Sequence, residues 1–136
     1  MGTVYEEITI KNSYDCENCR QGLIKEEDIR SVTVTAKVDT GASELVINEE
    51  LFEKLGLHVV EERKARVADG RWVFCKLAHG VEVHWKDRYA LCGTMVLPGS
   101  VNVLLGAVPL EVMDLIVDPG RQELVGRHGD EVVLEV

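Results

Sequence analysis

The strongest constraint on the fold is the rhythm of residues 58–106, where short β-branched and aromatic runs are cut repeatedly by turn-forming dipeptides. Asp69-Gly70, His79-Gly80 and Lys86-Asp87 separate runs of about 7 to 12 residues, a spacing that suits hairpins rather than a succession of helices. Arg71 to Leu77, Val81 to Trp85 and Tyr89 to Leu97 therefore read as a β-meander that ends at Pro98-Gly99. Val101 to Gly106 is a further short strand, so heavily apolar that it belongs in the middle of a core.

The flanking segments extend the same pattern. Val4 to Lys11 alternates loosely and reads as an antiparallel strand, and Ser31 to Val38 is a clear β-branched strand. Asn12 to Gly22 reads as a polar loop, and Gly22 to Arg30 fits either a short helical turn or a connecting loop. Glu44 to Ile47 is a short strand leading into a helix, with Asn48 as N-cap, Glu49 and Glu50 in the first turn and Gly56 as the stop. Pro109 opens a second short helix whose apolar stripe is Leu110, Val112, Met113, Leu115 and Ile116. Val117 to Gly120 turns the chain, and Glu123–Val125 and Glu131–Val136 read as closing strands. No linker or repeat divides the sequence, so residues 1–136 are expected to form a single β-rich domain with one or two short helices.

Composition narrows the partners. Twenty-four acidic against 15 basic side chains leave a net charge of −9, which argues against a phosphate-tracking nucleic-acid binder and against an anionic membrane surface. No apolar run approaches the roughly 20 residues of a membrane span, and the first residues lack the basic and apolar regions of a secretion signal. A cytoplasmic protein is expected. Of the four cysteines only Cys16 and Cys19 form a CxxC, and the four histidines are scattered, so structural thiols are favoured over a zinc or redox site.

Chemistry concentrates at Val38-Asp39-Thr40-Gly41-Ala42, where a carboxylate directly follows an apolar strand. Such a position suits a reactive acid. It equally suits a plain turn, since Asp bonds its own backbone two residues on and Gly tolerates unusual dihedrals. Two further features follow in order: the glycine hairpin Ala68-Asp69-Gly70-Arg71 and the strand end Leu104-Leu105-Gly106.

With those three motifs in that order, the sequence resembles the single-lobed aspartic proteases of the retroviral type and their bacterial and archaeal relatives, over about residues 31–125. The resemblance implies a mostly β, retropepsin-like acid-protease barrel, active as a two-fold homodimer on a peptide or protein substrate, with no metal or organic cofactor. Asp39, Thr40 and Gly41 are then the catalytic residues. Peptide hydrolysis by carboxylates needs one group to take a proton from water and another to give one to the substrate. Two carboxyls about 3 Å apart cannot both ionise and so hold one proton between them. One chain carries one such motif, so the second must come from a symmetry mate.

By the same resemblance Thr40 bonds across the dimer axis, and Ala42 and Ser43 line the substrate groove. Ala68, Asp69, Gly70 and Arg71 form a flap over the bound peptide, with Trp72 and Phe74 beneath it or in the core. Leu104-Leu105-Gly106 braces the catalytic turn, and Leu104 or Leu105 shapes a side-chain pocket. Ser43 stands where many viral relatives carry a second acid, and Ala107 where many carry an arginine that ties down the site. Asp118-Pro119-Gly120 also follows an apolar pair, but Pro119 has no hydroxyl and the segment reads as a simple turn. Two rival readings are a non-catalytic peptide-binding or dimerisation module on the same fold, and a thiol or zinc switch through Cys16 and Cys19.

Overall fold

The computed structural model describes residues 3–99 and 101–136. Strand β1 (Tyr5–Asn12) pairs antiparallel with β2 (Ser31–Val38), Ile8 opposite Val34 and Ile10 opposite Val32. The later strands are β3 (Leu45–Asn48), β4 (Val59–Arg66), β5 (Trp72–Trp85), β6 (Arg88–Leu97) and β7 (Leu104–Leu105). Their order is β1-β2-β7-β3-β6-β5, and β5 returns to pair with β1 through Thr9–His84 and Asn12–Val81. Six strands thus close a barrel, and β4 hangs outside it as the second arm of the β5 hairpin. A separate ribbon joins β8 (Leu115–Asp118) to β9 (Glu123–Gly126).

Alternation turns one face of each barrel strand inward. Ile8, Ile10, Leu45, Ile47, Val81, Val83, Val96 and Leu105 are all buried in one cluster. Each such side chain contributes about 2 kcal/mol when removed from water. The barrel rather than its short helices therefore supplies most of the packing.

Gly80 lets one strand serve two partners. The expected turn at His79-Gly80 is instead a bulge within β5, where the register against β6 shifts between Ala78 and Val81. Gly80 sits at φ +94°, and a Cβ there would meet the Tyr14 ring at 2.5 Å. The chain does not reverse because β6 pairs with β5 on both sides of the bulge.

Helix content exceeds expectation: α1 (Ser13–Arg20), α2 (Glu49–Lys54) and α3 (Ala107–Val112) are joined by a 3-10 turn at Glu26–Asp28. α2 begins where predicted, with Asn48 Oδ1 accepting from Leu51 N at 2.9 Å. α1 replaces the polar loop read over residues 12–22. Its cap, Asn12, accepts from Asp15 N at 3.1 Å and donates to Leu55 O at 2.8 Å. Charge pairs rather than an apolar stripe hold it down: Asp15 takes three bonds from Arg30, and Arg20 reaches the buried Glu82 at 2.8 Å. The Cys16 thiol is buried against this cluster, and burial, with Glu82 adding to it, pushes its pKa up to about 11. That is the wrong direction for a reactive thiolate.

The last third also differs. The stripe predicted through Leu115 and Ile116 breaks because α3 ends at Val112 and Asp114 turns left-handed at φ +56°, sending Leu115 into β8. Asp114 accepts from His128 Nδ1 at 2.7 Å and from Val133 N at 3.1 Å, while the buried Arg88 donates to the Met113 and Asp114 carbonyls. Beyond this knot, Glu131–Val136, expected as a closing strand, forms none with the described residues. Its only ladder contact is the His128–Glu131 bridge, and Val132 and Leu134 are exposed.

These ion pairs give stability a sign in pH. Hydrogen bonds from Arg30 hold the Asp15 carboxyl below the usual carboxylate range, and the His128 bond does the same for Asp114. A depressed folded pKa adds stability above the unfolded value, near pH 4, that is lost as pH falls through the folded value. The thermal midpoint is expected to fall between about pH 5 and pH 3. Asp15→Asn should flatten that slope and lower the midpoint at neutral pH; unchanged melting curves for the variant would remove Asp15 from the account.

Candidate active site

The turn after β2 is fixed by main-chain bonds and by one to its own carboxylate. Asp39 N donates to Leu105 O at 3.0 Å, and Ala42 N donates back to Asp39 O at 3.1 Å. Asp39 Oδ1 accepts from Gly41 N at 3.0 Å, so the carboxylate is oriented by the turn that carries it. β7 lies between β2 and β3, parallel to the first (Val38 beside Leu105) and antiparallel to the second (Leu45 beside Leu105).

Gly106 makes this packing possible. It is buried, and a Cβ there would lie 2.6 Å from Ala42 O and 2.9 Å from Glu44 N. The next two residues open α3, and their N–H groups have no helical acceptor of their own. Ala107 N donates to Ala42 O and Val108 N to Ser43 O, each at 2.8 Å. Ala107 thus braces the turn through its backbone, with no arginine side chain required.

Above the turn, the β4–β5 hairpin encloses a groove of about 800 Å³. Asp39, Gly41, Ala42 and Ser43 line its floor, Leu104 its side, and Ala68 the hairpin wall. The outer edge of β4 has no strand partner among the described residues, and residues 63–68 border the groove. The floor is acidic, with Glu44 beside Asp39, whereas Arg63, Lys64 and Arg66 make the wall basic.

Several residues expected in the site lie apart from the groove. Thr40 is exposed and faces a smaller crevice with Val4, Lys37 and Pro119. Asp69, Gly70 and Arg71 form the hairpin tip, where Asp69 accepts from Arg71 N and Nε at 3.0 and 2.7 Å. Leu105 is fully buried in the core and is not among the residues lining the groove. Trp72 and Phe74 are neither core nor groove residues: they are 63% and 72% exposed on the outside of the hairpin. Glu44, Arg63, Cys75 and His79 do line the groove and were not singled out from sequence. Only the pairing of Arg63 with Cys75, and of Glu61 with Leu77, fixes which hairpin face turns inward.

The closed six-strand barrel, with an Asp-Thr-Gly turn pinned beneath a hairpin, defines the single-lobed acid-protease class of fold. Residues 26–108 match the family model described as aspartyl protease, more than half of the chain, and the protein belongs to this retropepsin-like family. A search of the curated proteins finds no match. Among the described residues no helix is long and apolar enough to cross a membrane.

Proposed function

We propose that the protein is an aspartic endopeptidase in which the Asp39 carboxyls of two protomers meet at a two-fold axis and activate a water against a peptide bond. The observation that carries this reading is the Asp39 carboxylate, oriented by Gly41 N at the floor of a groove large enough for an extended peptide. One carboxyl of the pair takes the proton from water while the other protonates the substrate, so neither protomer is active alone. The unpaired edge of β4 offers main-chain donors and acceptors to a substrate strand, a mode of recognition largely indifferent to side chains. The hairpin acts as the flap, and its closure excludes water from the reacting atoms. In this reading Thr40, exposed beside the turn, bonds its counterpart across the axis. Val132 and Leu134 give the dimer an apolar surface that one protomer leaves open. The reading needs no cofactor.

The test is a mixed peptide library incubated across acidic to neutral pH while the protein concentration is varied, with cleavage sites read by mass spectrometry and mass by sedimentation. Specific activity is expected to rise steeply with concentration and to level off where the dimer saturates. Cleavage by a species that sediments as a monomer overturns the shared site. A dimer that binds peptides at every pH and cuts none establishes the non-catalytic module instead.

A further inference from the structure

We propose that the outer face of the β4–β5 hairpin docks an extended acidic segment of another protein. Four side chains make the surface. Register sets Arg66 beside Trp72 and Lys64 beside Phe74; the two rings stand on the face turned away from the groove-lining Cys75 and Leu77, while Lys64 and Arg66, on the free edge strand, border the groove as well. The Arg66 guanidinium lies 5.6 Å from the centre of the Trp72 ring, which confirms that this pair shares a face.

Two large aromatics this exposed, side by side on one strand, are costly to leave in water. Neither contributes to the barrel core. Lys64 and Arg66 have no carboxylate partner among the described residues, although the chain carries nine more negative than positive charges. Uncompensated cations on so acidic a chain mark the place where an acidic partner is not repelled. The spacing selects its conformation. Trp72 and Phe74 are two residues apart on one strand, roughly 7 Å, which is the repeat of one face of an extended chain. Apolar side chains of such a segment fall on the two rings, and its carboxylates reach the two cations alongside. A nucleic acid fits less well, because a regular phosphate chain would run on from these two cations to Glu62, opposite Lys76 on the same face.

The surface lies on the element that covers the groove, and its occupancy does not depend on Asp39. The experiment therefore uses the Asp39→Asn protein, which cannot cut its probes if the proposed chemistry holds. Fluorescence anisotropy is measured with a labelled peptide of alternating Glu and Leu, its Lys-for-Glu counterpart, and a single-stranded oligothymidylate. The acidic peptide is expected to bind at least ten-fold more tightly than either control, and more weakly as salt is raised. Trp72→Ala with Phe74→Ala should weaken it about ten-fold. Lys64→Glu with Arg66→Glu should transfer preference to the Lys peptide. These residues are exposed, and circular dichroism checks that the variants fold. Equal affinity for both peptides, tighter binding of the oligonucleotide, or acidic binding unmoved by Trp72→Ala with Phe74→Ala, as groove binding would be, overturns the proposal.

Discussion

Asp39→Asn is expected to abolish peptide hydrolysis, lowering kcat/KM by at least about 10³-fold, because the amide can neither accept the proton of water nor pass one on. The substitution keeps the side-chain shape and an oxygen for the Gly41 N–H bond at 3.0 Å, so the turn and the thermal midpoint should change little. Mixing separates a shared site from two independent ones. When wild-type protein is combined with a three-fold excess of the variant and allowed to exchange subunits, a shared site requires random pairing to leave only a small minority of wild-type homodimers. Activity per wild-type subunit then falls about four-fold. Constant activity per wild-type subunit after exchange would show that each protomer works alone.

Gly106→Ala carries the largest expected effect outside Asp39. The added methyl would press on Ala42 O and Glu44 N, and both are backbone atoms that no rotamer change can withdraw. Relief requires β7 or the catalytic turn to shift by several tenths of an ångström. The expected cost is about 3 kcal/mol in urea unfolding, at the upper end for overpacking. Displacement of the turn should also reduce kcat by about 10²-fold in the fraction that remains folded, since geometry at the reacting atoms is exacting. A destabilised variant with undiminished kcat would mean that β7 supports the barrel without positioning Asp39.

Local chemistry made part of this architecture legible in the sequence. The β-branched run of β2, the Asn48 cap and the Asp69-Gly70 and Lys86-Asp87 turns each draw on neighbours within a few residues, and each appears where expected. What escaped depends on partners distant in sequence. α1 has no apolar period and is held by Arg30 and Glu82, and His79-Gly80 looks like a turn until β6 is seen to pair on both sides of it. The site divides the same way. Asp39, Gly41, Ala42, Ser43 and Glu44 fall within six consecutive residues, whereas Arg63 reaches the groove through its register opposite Cys75 and His79 through the bulge in β5. Trp72 and Phe74 were misplaced because alternation names two faces without saying which one turns inward.

The hairpin has a mechanical consequence. β5 is paired with β6 from Lys76 onward, so the ribbon beyond it, out to Gly70, is a cantilever with its root in the barrel wall. About six residues of overhang give an arm of roughly 20 Å. A tilt of about 10° at the root therefore sweeps the tip through roughly 3.5 Å, comparable to the spacing of one residue along a strand. If the hairpin acts as the proposed flap, stiffness at Lys76, more than chemistry at the tip, sets how far the groove opens.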